Sequence, residues 1–309
     1  MKIVFAGTPE FAADHLSILI NSGHEISNVF TQPDRRGKRG KNLIKSPVKR
    51  RAEEYGLNIT QPNRIAVENF RGLNFDLIVV VAFGQILSSE IIALPSLGCI
   101  NVHASLLPKW RGAAPIPRSI LSGDKTSGIT IMQMDAGLDT GNILLQESIH
   151  LENENAGSLT AKLSTLGRKM LIEALGNLEV LQEHSTPQNN DAATYAKKIS
   201  KSEGLIDWSM ESEHIDKQIR AFSPSPAAFS FIDGIRTKIL SATEVKEKSG
   251  NHGQILELSD RGLTVGTKTN GLRVTALQIN QGKGTILRGG DILNGWSQRF
   301  QVGKYFKQI

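Results

Sequence analysis

Apolar positions in the first half of the chain fall into short continuous runs that alternate with helically spaced stretches. Residues 2–6 form such a run, ending at Gly7-Thr8-Pro9. Residues 10–21 then carry Phe11, Leu16, Leu19 and Ile20 at helical spacing, and Pro9 suits the first turn, where a missing N–H costs nothing. The same reading predicts a strand at 26–31, a helix at 47–56 closed by glycine, and a short helix at 88–94. Residues 76–83 and 98–103 are unbroken apolar runs, the pattern of strands covered on both faces. Residues 128–135 predict a further strand, 142–151 its hairpin partner, and 158–181 one long amphipathic helix. Strand and helix alternate as in an α/β fold, with an open, mostly parallel sheet of Rossmann type.

The pattern changes after residue 184. Residues 185–191 are polar with a proline and suit a linker, and 185–203 is taken as that linker. Beyond it come one helix, 212–222, and five short strands at 227–232, 235–241, 254–258, 263–266 and 272–279. Asp233-Gly234 between the first two is a tight hairpin signal. Many short strands in about a hundred residues predict a small closed β-barrel, OB-like, over 204–309, beside an α/β domain over 1–184.

Charge sharpens the picture more than composition does. The formal net charge is +6, yet residues 31–51 hold nine basic side chains against Asp34 alone, a local +8, so the rest of the chain is slightly acidic at about −2. Arg35, Arg36, Lys38, Arg39 and Lys41 make the densest part of that loop. Charge gathered in one segment points to a polyanion held at one place, against the plain alternative of a solvated basic loop. No apolar run is long enough to span a membrane. The opening runs straight into a glycine turn without the form of a signal peptide, and the single cysteine, Cys99, has no internal partner. Together these predict a cytoplasmic protein.

Two clusters carry candidate chemistry. Asn101 and His103 lie two apart on the strand 98–103, so they share a face near its end. A carboxamide there can donate to a developing oxyanion while the imidazole moves a proton, although a strand-end histidine is often purely structural. The second cluster is Met134-Asp135-Ala136-Gly137-Leu138-Asp139-Thr140-Gly141, a glycine-rich turn that can deliver a carboxylate to His103. Spacing does not choose between Asp135 and Asp139, and either could instead cap its own turn. Pro9 and Glu10 occupy the turn where a dinucleotide fingerprint needs glycines, which argues against a nicotinamide cofactor. The seven histidines are scattered without ligand spacing, so no metal site is expected.

The sequence resembles the methionyl-tRNA formyltransferase family along its whole length. The resemblance is carried by Phe5-Ala6-Gly7-Thr8-Pro9, Thr31-Gln32-Pro33-Asp34-Arg35, the block from Gly98 through Pro108, Trp110-Arg111-Gly112-Ala113-Ala114-Pro115-Ile116, and the run from Ile131 to Gly141. It implies a catalytic trio of Asn101, His103 and Asp139, so among the two aspartates it selects Asp139. It implies a folate-binding signature at Ser105, Leu106, Leu107 and Pro108, with a cis peptide before Pro108, and a pterin lying against 82–87 and 135–141. The basic loop takes the place of the tRNA-contacting insertion, with Arg39 as the arginine that reaches the acceptor end. The C-terminal barrel adds contacts to the tRNA backbone. Ser225, in Ser223-Pro224-Ser225-Pro226, stands where the family commonly carries an aromatic. The activity implied is formyl transfer from 10-formyltetrahydrofolate to initiator methionyl-tRNA, by a monomer without a metal. The alternatives are a folate formyltransferase acting on an amino sugar nucleotide or a purine precursor, and a non-catalytic RNA-binding protein on the same scaffold.

Overall fold

Fully buried strands set the first half of the molecule, described in a computed structural model over residues 1–37, 43–246, 248–280 and 284–307. In chain order its elements are β1 (Lys2–Gly7), α1 (Glu10–Ile20), β2 (Glu25–Phe30), β3 (Arg35–Arg36), β4 (Leu43–Ile44), α2 (Pro47–Glu54), β5 (Ile59–Thr60), β6 (Leu77–Val81), α3 (Ser89–Ile92), β7 (Cys99–His103), α4 (Pro115–Ser122), β8 (Thr126–Gln133), β9 (Ile143–His150), α5 (Ala156–Gly176) and α6 (Leu178–Glu183). Among the described residues, seven strands make one sheet in the order β5-β2-β1-β6-β7-β8-β9. Pairing is parallel from β5 to β7 and antiparallel from β7 to β9.

Two compact units are present. One comprises Met1–Pro115, Thr126–His150 and Thr160–Lys197, the other Ile116–Lys125, Leu151–Leu159 and Lys198–Ile309. In the first, Val4, Ala6, Phe30, Ile78, Val80, Phe83 and Cys99 pack into one buried cluster, against which Met134 lies. Cys99 is part of that filling, and burial pushes its thiol pKa up to about 12. The single helix expected over 158–181 is two, α5 and α6, separated at Asn177, whose side chain turns back to donate to the Glu173 carbonyl at 3.0 Å. Gly176-Asn177 is a stop signal inside an otherwise helical pattern. The stretch expected as a linker does not hang free: Thr186 bridges Ile143 and Tyr195 bridges Arg111, so its first part runs along this unit.

The second unit adds α7 (Ser212–Phe222), β10 (Ala228–Ile232), β11 (Ile235–Val245), β12 (Ile255–Ser259), β13 (Gly262–Gly266), β14 (Gly271–Ile279), β15 (Ile286–Arg288) and α8 (Gly290–Trp296). Asp233 and Gly234 both take positive φ, +49° and +72°, as the tight turn between β10 and β11 requires. The antiparallel order β10-β11-β14-β13-β12 would leave two edges. Phe231 pairs with Lys307 on one edge and Gln254 with Tyr305 on the other, so residues 305–307 close the ring. Phe306 pins that closing segment against Trp208 and Phe300, with ring centroids 5.5 and 6.2 Å apart. Among the described residues no helix is long and apolar enough to cross a membrane.

His15 on α1 is fully buried, and its Nδ1 lies 2.7 Å from the Phe11 carbonyl, which it therefore faces as a donor. Gly167 on α5 makes room for it, since a Cβ there would meet His15 Nε2 at 2.6 Å. Desolvation lowers the His15 pKa from 6.5 to about 4. The unfolded chain therefore binds a proton near pH 6.5 that the folded chain refuses. Stability is full above that pH and falls as pH drops toward 4. Urea denaturation at pH 7.5 and 4.5 is expected to show a loss of roughly 2–3 kcal/mol that disappears in His15→Gln.

Candidate active site

The strand β7 delivers Asn101 and His103, and its burial is set by neighbours on both sides: Asn101 pairs with Val80 of β6 and Met132 of β8, His103 with Thr130 of β8. The Asn101 carboxamide oxygen is buried and finds no hydrogen-bond partner among the described residues. A buried acceptor left open is costly, and such groups occur where a ligand donor completes them. His103 is buried too, 7% exposed, with both ring nitrogens facing oxygen. Nε2 lies 3.0 Å from the Trp110 carbonyl, which can only accept, so Nε2 carries the hydrogen. Nδ1 faces the Asp139 carboxylate at 3.7 Å, beyond hydrogen-bond range but within ion-pair reach.

Asp139 arrives by an indirect route. Because β8 runs antiparallel to β7, its loop starts beside Cys99, where Met134 N–H donates to the Cys99 carbonyl at 2.8 Å. That point is four residues upstream of His103, about 13 Å along the strand. The loop then reaches back, with Asp139 at a positive φ of +54°, and Gly112 N–H donates to its carboxylate at 2.7 Å. Asp135 behaves differently. It is exposed, and it accepts from Gly137 N–H and the Thr140 hydroxyl at 3.0 and 2.6 Å, capping its own turn. Geometry thus brings Asp139 to His103, two residues along β7 from Asn101, and sets Asp135 apart.

Ser105 and Leu107 are buried, Leu106 and Pro108 half-buried, and the Leu107–Pro108 peptide is cis. The Ser105 hydroxyl donates to the Lys109 carbonyl at 2.6 Å. Thr130, wholly buried, ties this turn to the sheet: its hydroxyl donates to the Ser105 carbonyl at 2.7 Å and accepts from Leu107 N–H at 3.1 Å. Gln146 on β9 donates to both the Thr130 hydroxyl and the Leu107 carbonyl, at 2.8 and 2.9 Å. The turn 82–87 exposes Ile86, and the turn 135–141 exposes Leu138.

Sequence reasoning missed the layer behind these groups. Arg111, 2% exposed, donates through Nε and Nη2 to the Gln188 carboxamide oxygen at 3.0 and 2.8 Å and through Nη2 to Asn190 at 2.9 Å. Gln188 in turn donates to the backbone carbonyls of Asp139 and Gly141 at 2.9 and 2.7 Å. Arg111 could have been suspected from its place beside Trp110 in the conspicuous block. Gln188 carries no local signal, because it sits in the polar stretch expected as a linker.

The basic loop is partly neutralised at its base. Lys49 pairs with Asp34 at 2.7 Å and Lys45 with Glu53 at 2.8 Å, while Arg50 and Arg51 reach Glu10 and Glu54. Hydrogen bonds from Lys49 and Gln61 hold the Asp34 carboxyl below its usual range. Arg35 and Arg36 are exposed on β3, which pairs with β4, and Lys38, Arg39 and Lys41 lie outside the described residues.

A family model described as formyl transferase matches residues 1–175, and one described as formyl transferase, C-terminal domain, matches residues 198–296. The chain belongs to the formyl transferase family. Among curated members, a methionyl-tRNA formyltransferase of Pseudomonas paraeruginosa is 44% identical over 313 residues, covering all of both chains. One from Nitrosospira multiformis is 43% identical over 98% of this chain and all of the relative. Of solved formyl-transferase-like folds, HypX from Aquifex aeolicus, in complex with tetrahydrofolic acid, aligns with a TM-score of 0.70 at 16% identity. That match covers all of this chain, which spans about half of HypX, 51%. An N-formyltransferase from Helicobacter canadensis aligns at 0.65 and 21% identity, over 89% of this chain and 98% of its own. At such identities these two structures establish the fold only.

In this formyl transferase one side chain, Thr130, carries much of the turn 105–108. Thr130→Val keeps the shape but leaves the Leu107 N–H and the Ser105 carbonyl without their partner. Chemical denaturation is expected to show a loss of about 2–3 kcal/mol.

Proposed function

We propose that this chain transfers the formyl group of 10-formyltetrahydrofolate to the α-amine of initiator methionyl-tRNA, and that it does so in the cytoplasm as a monomer. The observation that carries the reaction is the open Asn101 carboxamide beside the His103–Asp139 pair. Full-length identity of 44% to a methionyl-tRNA formyltransferase supports the acceptor.

The folate is a substrate that supplies the activated formyl carbon. A free α-amine has a pKa of about 7.7–8.0, so near neutral pH a useful fraction already bears a lone pair. The enzyme's task is therefore alignment and charge stabilisation. The amine nitrogen bonds to the formyl carbon, the bond from that carbon to folate N10 breaks, and one amine proton passes to N10. Asn101 fits this sequence at both ends of its amide. Its nitrogen donates to the oxygen on which negative charge develops, and its open oxygen accepts from the attacking amine. His103 Nε2 starts on the Trp110 carbonyl, so it joins the oxyanion only by leaving that partner. Asp139, held by Gly112, keeps the opposite ring nitrogen oriented. Ser105–Pro108 in this reading shape the folate wall through the turn that Thr130 and Gln146 fasten.

Losing one oxyanion donor typically costs about 10²–10³ in rate. Asn101→Ala and His103→Ala are each expected to lose that much kcat, with folate binding kept. The assay offers the donor with charged initiator tRNA, charged elongator methionine tRNA and an amino sugar nucleotide. Formylation of the sugar nucleotide in place of the initiator tRNA would overturn the acceptor assignment.

The basic loop gives a separate expectation. Arg35 and Arg36 face solvent, and they with Lys38, Arg39 and Lys41 are assigned to tRNA phosphates. Contacts of this kind release counterions, so affinity falls with salt. Replacing Arg35 and Arg36 with alanine is expected to raise KM for tRNA, leave KM for folate unchanged, and flatten the slope of log affinity against log salt by about 2. A salt-independent tRNA affinity would remove the loop from the interface.

A further inference from the structure

Gln188 makes four hydrogen bonds with no spare capacity. Its oxygen accepts twice from Arg111, and its nitrogen donates to the carbonyls of Asp139 and Gly141. That pattern fixes which end of the amide is which, since the reverse orientation would set NH₂ against a guanidinium and oxygen against two carbonyls. Arg111 is buried, and among the described residues its charge meets only carboxamide oxygens, those of Gln188 and Asn190. A cation on one side of an amide polarises it and strengthens the bonds donated on the other. One of the two carbonyls it grips belongs to Asp139, the residue whose carboxylate faces His103, and the other lies two residues on, in a loop where Asp139 holds φ at +54°.

We propose that Gln188 is a positioning residue for formyl transfer: oriented by Arg111, its carboxamide fixes the backbone at Asp139 and so sets where the carboxylate meets His103. The proposal rests on the reading of Asp139 given above. Arg111 sits between Trp110, whose carbonyl holds His103, and Gly112, whose N–H holds Asp139. Its backbone is in turn clamped by Thr194 and Ala196, at 2.9 and 2.7 Å. The buried Arg111 and the half-buried Gln188 together therefore tie the loop that touches His103 to the loop that carries Asp139.

The test is a double-mutant cycle on steady-state formylation of initiator methionyl-tRNA, with thermal melts of every variant. Gln188→Ala is expected to lower kcat about 30-fold, short of the roughly 100-fold that a 1 Å misplacement can cost, with both KM values within about threefold. In an Asp139→Asn background the same substitution is expected to change kcat by less than about twofold, because the group it positions is already disabled. Gln188→Glu gains an ion pair with Arg111 but sets a carboxylate oxygen against two carbonyls. It is expected to fold as well as the wild type and to lose at least as much kcat as Gln188→Ala, and it decides the matter if the alanine variant does not melt cooperatively. Independent multiplication of the two losses, or Gln188→Glu at wild-type kcat, would leave Gln188 a structural residue only. Asp139→Asn at wild-type kcat would instead overturn the reading of Asp139 itself.

Discussion

A carboxylate and an imidazole are held face to face in a largely dry corner, and nearly every polar contact around them exists to keep that arrangement. Neither group can be left in protein without partners. Asp139 takes an N–H from Gly112, and His103 gives one to Trp110, so both depend on a single three-residue stretch. That stretch is itself stitched to 194–196 through the backbone. The sheet supplies the rest of the rigidity: β7 is covered on both faces, and the antiparallel β8 brings the aspartate loop back along it.

Against this background the open oxygen of Asn101 is the exception. The His103 ring nitrogen Nε2 and the Asp139 carboxylate have partners within the protein, whereas this oxygen has none among the described residues. The contrast separates groups satisfied within the protein from the one that is open. The turn from Ser105 to Pro108 is likewise fastened from beneath by Thr130 and Gln146. The hydrogen bonds of that turn are thus made within the protein itself.

Most of the strands and helices were readable because burial leaves a simple mark. The unbroken apolar runs became β6 and β7, and 212–222 became α7 at the same bounds. Asp233-Gly234 made its turn because its two residues tolerate the left-handed backbone. Other features left no such mark. The split between α5 and α6 depends on one glycine-asparagine pair within an amphipathic pattern. Ring closure by residues 305–307 and the role of Gln188 are long-range pairings, and polar residues that serve distant backbone look the same as those that serve solvent. In the site, local spacing yielded Asn101 with His103 but left two aspartates open. The choice between them came from family resemblance, and the hydrogen bonds of Asp135 to its own turn give it a physical basis.

The stem of the basic loop has a further implication. Lys45, Lys49, Arg50 and Arg51 are engaged with acidic side chains of their own molecule, whereas Arg35 and Arg36 stand in solvent. Within one segment, then, some cations are engaged by their own molecule and others face outward. Exchanging the outward pair leaves that foundation undisturbed, whereas loss of the well-shielded Lys49–Asp34 pair would be felt in the anchoring of the loop itself.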